Sequence, residues 1–453
     1  MAVTVLQADQ GSTPFGLSEA GPGREAQMAM AVVEVSYAEG WDADARCEFG
    51  PLSSDEAEAR DRSGEPYVVV HRVPGRPAPL EVHLVSWRDH YVGIWAYGEL
   101  GRRTHEVDLR LLEPDGLFAR QYLERRYSST DQSDRARDAW RLTVHLLPGE
   151  RGRKVLEERG EGGGSFHTLA DEPEPQRWYP RSGFGVHAAG SPNLCGSAGQ
   201  EGPKVLDAAV LPFPAAAGNA DGEVGKRESP WRPPRPGKPG LALNEVFRSG
   251  TCFVSESWGE MTVAEIQHIA TLRIPSGRLV VADAMEQHSP RELIERVPPG
   301  EYPVQAAVLV GEGDYHGERF PVTEQPAVRL LIGDEPPVTW EMGLSAGEDP
   351  RLLLDGHAYG FGTDGAAGSF ADASGWATLS AKYRSFLMDR DGSAAENIAD
   401  GCIHTADEES GGDLVSFHTG GDGIHPVWLG RSDSGELVAV AVITSWLADL
   451  RPA

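Results

Sequence analysis

The chain has 453 residues, 40% of them hydrophobic, and a formal net charge of −28 at pH 7. This length allows two or three domains, and the hydrophobic content is enough for apolar cores that need no disulfide framework. The negative charge argues against nucleic acid and against an anionic membrane surface as partners, because both would repel the carboxylates. The acidity is either ordinary charge for solubility or a means of attracting a basic protein partner or cations.

Cysteine usage and the N-terminal sequence predict a cytoplasmic protein. The four cysteines are far apart in the sequence and form no CxxC pair, which favours a reducing compartment. The N-terminal stretch MAVTVLQADQ lacks the basic start and apolar core of a signal peptide, and the longest later apolar run, Leu437 to Ile443, is too short to span a bilayer. Abundant Arg, Ala, Gly and Pro with few Lys is typical of a bacterial protein encoded at high G+C content.

Residues 1–187 are predicted to form an N-terminal β-rich domain, a sandwich or open barrel of about seven strands. From residue 28 onward, short runs such as PYVVVHRV and YVGIWAYG lie between turn-forming residues. The stretch LEVHLVSW alternates strictly, which places Glu81 and His83 on one face of a strand and predicts that one face is drier than the other. Helix is scarce in this region, and Leu117 to Arg126 is its best candidate.

Residues 188–242 are predicted to be a linker, because prolines recur there among Gly, Ala and Ser with few large apolar residues. The stretch WRPPRPGKPG, residues 231–240, favours the extended polyproline II conformation. It is interpreted as a semi-rigid spacer or, alternatively, as a segment that docks on an aromatic groove.

Residues 243–453 are predicted to form a second β-rich domain with one clear helix. Its candidate strands are 279–282, 302–310, 328–332, 338–342, 358–362, 414–418, 427–430 and 437–443. After Asp372, a suitable N-cap, the apolar residues from Trp376 to Phe386 recur at the three- and four-residue spacing of a helix. The fold class expected for the whole chain is therefore mainly β.

Five stretches of this C-terminal part carry a resemblance to a known bacterial family. They are PSGRLVVADA at 275–284, PPGEYPVQAAVL at 298–309, PPVTWEMGL at 336–344, GFGTDGAAGSFAD at 360–372 and SFHTGGDGIHPVWLGRSDSGELVAV at 416–440. Through them, residues from about 260 to 450 resemble the family called domain of unknown function 4241, which implies a compact, mostly β domain. The resemblance implies no activity, cofactor or catalytic residue.

Three carboxylates in the Gly-rich stretches, Asp364, Asp372 and Asp422, are the candidate metal ligands. Flexible glycine lets carboxylates and carbonyl oxygens surround a hard cation such as Ca²⁺ or Mg²⁺. Each residue also has a structural interpretation, because Asp364 tolerates a left-handed turn, Asp372 caps a helix and Asp422 lies in a GGDG turn.

Gly360, Gly362 and Gly365 form a second Gly-rich pattern, GxGxxG, which resembles the fingerprint of dinucleotide-binding proteins. Asp364 would place a negative charge where the pyrophosphate of a dinucleotide should lie. We therefore interpret this stretch as a Gly-rich turn.

The residues Cys402, His404, His418 and His425 supply ligand types that zinc prefers. Their spacing fits no standard zinc pattern, and histidines satisfied by local hydrogen bonds are the alternative.

The sequence favours a non-catalytic binding or interaction protein, with an immunity-like protein that sequesters a basic partner as one form of it. The motivation is the strong acidity together with the absence of GxSxG and HExxH signatures. The alternative is a divalent-metal-dependent hydrolase, in which Asp364, Asp372 and Asp422 hold the ion that activates water. The sequence assigns no catalytic residue and no cofactor.

Overall fold

The chain divides into two compact units in a computed structural model. The N-terminal unit comprises Met1–Ala209 and Glu223–Pro233, and the C-terminal unit comprises Val210–Gly222 and Pro234–Ala453. The structure describes residues 2–5, 32–132, 139–150, 152–159, 165–172, 177–185, 215–216, 230–240, 242–255, 258–286, 290–389, 395–399, 401–444 and 450–453. Most of the predicted linker lies outside these residues, and the domain limits at 187 and 242 stay predictions.

Strands dominate the N-terminal unit. They are β1 (Ala2–Val5), β2 (Val32–Asp42), β3 (Cys47–Leu52), β4 (Tyr67–Arg72), β5 (Glu81–Ser86), β6 (Tyr91–Tyr97), β7 (Arg103–Glu113), β8 (Gly116–Arg126), β9 (Trp140–His145), β10 (Gly152–Arg159), β11 (Ser165–Glu172) and β12 (Trp178–Pro180). The helix α1 spans Ser54–Ser63, and a capping box begins it. Ser53 Oγ accepts a hydrogen bond from Glu56 N at 3.3 Å, and Glu56 Oε2 accepts one from Ser53 N at 2.8 Å.

One antiparallel sheet contains all twelve described strands of this unit. Its order is β1-β2-β4-β5-β6-β7-β8-β9-β10-β11, with β3 beside β2 and β12 beside β8. From β4 to β11 each strand pairs with the next one along the chain, so this part is a meander. The mainly β class is confirmed, and the strands are more numerous than the roughly seven expected of a sandwich or open barrel.

The helix predicted at Leu117 to Arg126 is wrong, because this segment is strand β8. β8 pairs with β7 on one side and with β9 and β12 on the other. These neighbours satisfy its backbone groups, so tertiary pairing overrides the helix propensity of its Leu, Gln, Glu and Arg residues.

Strand β5 is buried on both faces, whereas its alternating sequence predicts one drier face. All six of its residues are buried. Val82 and Leu84 belong to an apolar cluster on one face. Glu81 and His83 lie on the opposite face and are shielded from water as well. Buried polar side chains of this kind require partners.

The C-terminal unit is also rich in strands. They are β13 (Ala215–Ala216), β14 (Cys252–Ser255), β15 (Gly259–Ile274), β16 (Arg278–Ala282), β17 (Glu292–Arg296), β18 (Gly300–Tyr315), β19 (Glu318–Glu324), β20 (Ala327–Leu331), β21 (Thr339–Met342), β22 (His357–Ala358), β23 (Gly360–Thr363), β24 (Ala367–Asp372), β25 (Glu396–Ala399), β26 (Cys402–Ala406), β27 (Asp413–His418), β28 (Gly423–Arg431), β29 (Leu437–Ile443) and β30 (Arg451–Pro452). The helices are α2 (Ala242–Glu245) and α3 (Trp376–Asp389).

Two antiparallel sheets of the C-terminal unit pack face to face. The larger runs β21-β28-β29-β20-β18-β15-β14-β30, with β19 beside β18 and β23 beside β28, and the smaller runs β17-β16-β24-β27-β26-β25. The apolar core between them includes Leu272 and Val304 of the larger sheet and Phe370 and Phe417 of the smaller sheet. This unit is therefore built around a β-sandwich.

Helix α3 covers the outer face of the smaller sheet. Trp376, Leu379 and Tyr383 are buried in a cluster with residues of that sheet, so the helix prediction is confirmed. Asp372 caps the short 3-10 turn Ala373–Gly375 that leads into α3. In the described part of the chain no helix is long and apolar enough to cross a membrane.

Candidate metal centre

Two neighbouring strands of the N-terminal sheet bring three potential metal ligands together. His71 lies near the end of β4, and Glu81 and His83 lie on β5. His71 is directly opposite Glu81 in the antiparallel register. Since Glu81 and His83 are two residues apart, all three side chains project from the same face of the sheet. We call these three residues the candidate metal centre.

The ligand atoms of the candidate metal centre form a tight group. One imidazole nitrogen from each histidine and one oxygen of Glu81 all lie within 4.8 Å of one another. His83 Nε2 is 3.0 Å from Glu81 Oε2, and the rings of His71 and His83 have centroids 4.6 Å apart. Ligand atoms around a tetrahedral zinc ion are about 3.4 Å apart, given zinc–ligand distances of about 2.0–2.2 Å. Small side-chain rotations would therefore bring the three atoms to coordination distance.

The candidate metal centre is removed from solvent. The exposed fraction is 1% for His71, 5% for Glu81 and 7% for His83. Val69 and Ile94, both buried, are directly opposite His83 on the flanking strands. A carboxylate in such surroundings costs free energy unless a positive charge balances it. A bound cation is one source of such a charge.

Two imidazoles and one carboxylate are typical ligands of first-row divalent metal ions such as Zn²⁺. Three protein ligands leave the fourth tetrahedral position for water or another ligand. Ca²⁺ and Mg²⁺ instead prefer sets of oxygen ligands, which this group does not offer. These ligand types therefore favour Zn²⁺ or another first-row divalent ion over Ca²⁺ and Mg²⁺, the hard cations proposed from the sequence.

The alternating sequence of β5 predicts that Glu81 and His83 lie on one face, but it does not predict that His71 lies next to them. The relevant signal is a histidine at the end of one β-run followed by E-x-H at the start of the next. This pattern predicts a site only when the register of β4 and β5 is known. A shift of the register by one residue would turn Glu81 and His83 to the other face of the sheet.

Asp372, one of the three predicted ligands, is fully buried and surrounded by hydrogen-bond donors. Its Oδ2 accepts hydrogen bonds from Ser276 N at 2.9 Å and from Ser276 Oγ at 2.7 Å. Its Oδ1 accepts one from Ser374 N at 2.8 Å and another from Ser374 Oγ. The carboxylate therefore joins the turn before β16 to the turn before α3.

Asp364 and Asp422 lie, exposed, in two turns that contact each other. The Asp422 carboxylate accepts a hydrogen bond from Ala366 N at 3.2 Å, next to the Asp364 turn. Asp372 lies at the opposite end of β24, which spans Ala367–Asp372. Five strand steps correspond to roughly 17 Å. The structure thus gathers Asp364 and Asp422 at one end of β24 and places Asp372 at the other.

The GxGxxG stretch lies in strands rather than before a helix. Gly360 and Gly362 belong to β23, and the residues after Gly365 form β24. A dinucleotide fingerprint requires a helix after its third glycine, so the interpretation as a Gly-rich turn is supported.

Within the described residues, the predicted zinc ligand types of the C-terminal unit do not come together as a group of three close ligand atoms. Cys402 belongs to the apolar core between the two sheets. Both ring nitrogens of His425 lie 3.1 Å from backbone carbonyl oxygens, those of Ile443 and Gly421, and burial lowers the pKa of this histidine. Within the described ranges, the candidate metal centre is the one group of three ligand residues with such close ligand atoms.

Comparison with known proteins informs the C-terminal unit alone. No curated protein and no solved structure matches the chain. The matching family model covers residues 272–442, from the end of β15 to β29, and leaves the candidate metal centre outside. The resemblance found from the sequence is thereby confirmed. Over these residues the chain is similar to the family described as "Protein of unknown function (DUF4241)".

Proposed function

We propose that this chain is a metal-binding protein, whose N-terminal unit holds one first-row divalent metal ion through His71, Glu81 and His83. The observation that carries the proposal is the grouping of two imidazole nitrogens and a carboxylate oxygen within 4.8 Å. This role differs from both functions considered from the sequence. The interaction protein is expected to bind a protein partner, and the hydrolase is expected to hold its ion at Asp364, Asp372 and Asp422.

The position of the ligands in the sheet supports metal binding. β4 and β5 are interior strands, since β2 and β6 flank them in the sheet order. Side chains on interior strands are held by packing and by hydrogen-bonded neighbours, so ion binding would cost little conformational entropy. The apolar neighbours of His83 also strengthen the attraction between the ion and Glu81.

Equilibrium metal binding by the full-length protein tests this proposal. After chelator treatment and incubation with Zn²⁺, gel-filtered protein should retain about one ion per chain by elemental mass spectrometry. Zn²⁺ at 100 times its dissociation constant should stabilise the N-terminal unit by about 2.7 kcal/mol. His83→Ala and Glu81→Gln should each weaken binding at least about 100-fold, because each removes one of three ligands.

Two matched variants give the experiment its controls. His268→Ala removes an exposed histidine of β15 and should retain the ion. Asp422→Ala should retain it as well, whereas a hydrolase centre at the predicted aspartates would lose it. The visible absorption of the Co²⁺ form reports the ligand set directly. Equal metal content in His83→Ala and His268→Ala would refute the proposal.

A basic protein partner, an immunity-like role and a cytoplasmic location stay predictions. They rest on the net charge of −28 and on the spacing of the cysteines.

A further inference from the structure

A tryptophan of the Pro-rich stretch is inserted into an aromatic surface of the N-terminal unit. The ring of Trp231 stacks on Trp95, with centroids 3.8 Å apart and planes 12° from parallel. Its backbone N–H donates a hydrogen bond to Trp41 O at 3.1 Å, and its side chain packs against the buried cluster that contains Tyr91. Ring stacking and a backbone hydrogen bond thus fix this one residue.

The sheet under Trp231 is shaped for a flat ring. A Cβ atom on Gly93 would lie 2.5 Å from Trp231 Cζ2 and 2.3 Å from the Tyr91 hydroxyl oxygen. Both distances are far below van der Waals contact, so a larger residue would displace the ring. Gly93 does not have a positive φ, and the space above it is therefore the reason that this position suits glycine.

The surrounding aromatic residues are held in place independently of Trp231. Trp41 Nε1 donates a hydrogen bond to the Tyr97 hydroxyl at 3.0 Å. The Arg103 guanidinium lies 4.4 Å from the centroid of the Trp95 ring. Trp41, Tyr97 and Trp95 are buried. We call the set Trp41, Tyr91, Gly93, Trp95 and Tyr97 the tryptophan socket.

We propose that the tryptophan socket is a recognition site for a peptide in which tryptophan precedes a Pro-rich sequence, and that the chain's own Trp231 occupies it. Stacking on Trp95 and the narrow space above Gly93 favour a large, flat aromatic ring such as that of tryptophan. The following Pro233 is buried, and prolines keep such a segment extended before it binds, which reduces the entropy lost. One alternative from the sequence is that WRPPRPGKPG docks on an aromatic groove. The tryptophan socket is such a surface for Trp231, the first residue of that stretch.

Occupation by the chain's own segment has a quantitative consequence. A tethered ligand competes at an effective concentration of the order of millimolar. A separate peptide therefore binds weakly while Trp231 is in place, and binds with its intrinsic affinity once Trp231 is removed.

A peptide titration of the full-length protein tests the proposal. The probe is SPWRPPRP, the sequence of residues 229–236, with an external fluorophore, because the 11 tryptophans of the chain would obscure intrinsic fluorescence. Fluorescence anisotropy should show that Trp231→Ala binds this peptide at least ten times more tightly than the wild type. Trp231→Phe, which keeps a ring in the socket, should have an intermediate affinity.

The controls separate recognition from unfolding. A peptide with alanine in place of tryptophan should not bind, and Gly93→Val in the Trp231→Ala background should abolish binding. Circular dichroism identifies which variants are folded. Equal peptide affinity of the wild type and Trp231→Ala would overturn the proposal, as would an absence of binding to folded Trp231→Phe and Trp231→Ala.

Discussion

Replacing Phe370 with alanine is expected to lower the free energy of unfolding of the C-terminal unit by about 3–5 kcal/mol. Phe370 is fully buried on β24, in the core between the two sheets, with its ring centroid 5.0 Å from that of Phe417. β24 is paired with β16 and β27 on its two sides. The backbone therefore cannot close around the missing ring, and a cavity remains.

Urea unfolding followed by circular dichroism measures this loss. Phe320→Ala is the matched control, because it is the same substitution in the same unit at a side chain on β19 that is 38% exposed. We expect it to cost about 1 kcal/mol or less. Equal shifts of the two unfolding midpoints would show that the core between the sheets does not determine the stability of this unit.

The second large effect is expected from Asp372→Ala, at about 3 kcal/mol. The substitution removes the acceptor for two backbone N–H groups and two hydroxyl groups, those of Ser276 and Ser374. Both turns would lose the group that joins them, and the backbone donors would be left inside a site that is fully buried. Metal content should not change.

Thermal unfolding and metal analysis of the same samples test this expectation. Asp372→Asn keeps one acceptor oxygen and should lie between the wild type and Asp372→Ala. Asp364→Ala, at an exposed turn, should change stability by no more than about 0.5 kcal/mol. If Asp372→Ala released a bound ion and left the unfolding temperature unchanged, the metal role predicted from the sequence would be favoured over the structural one.

Local periodicity is strong enough to predict most elements of the C-terminal unit. Each of its eight candidate strands overlaps an observed strand, and α3 begins within a few residues of its predicted cap. The sixteen-residue strand β15 is not predicted. Its register shifts between Val263 and Glu265 and again between His268 and Ala270, and each shift breaks the alternation by which a strand is found.

In the N-terminal unit, one helix is predicted where a strand lies and another is missed. The residues of β8 favour a helix individually, and only the strands on both sides reverse that preference. The helix α1 has little apolar periodicity, but the Ser53-x-x-Glu56 capping box that begins it is present in the sequence. Capping chemistry would have located this helix where periodicity does not.

The candidate metal centre is hard to predict for a different reason. His71 and the E-x-H of β5 become neighbours through strand register, which single-sequence patterns do not specify. Similar loop composition predicts that the three aspartates Asp364, Asp372 and Asp422 lie close together. Asp364 and Asp422 do lie in adjoining turns, whereas the length of β24 separates Asp372 from them.

The order of strands also sets the order in which the chain can fold during its synthesis. From β4 to β11, each strand finds its partner in the segment translated immediately before it. β20 instead pairs with β29, which leaves the ribosome about a hundred residues later. One edge of β20 therefore stays unpaired until β29 has been synthesised. An unpaired edge attracts strands of other chains. During the interval between the translation of β20 and of β29, a nascent chain therefore needs protection from aggregation.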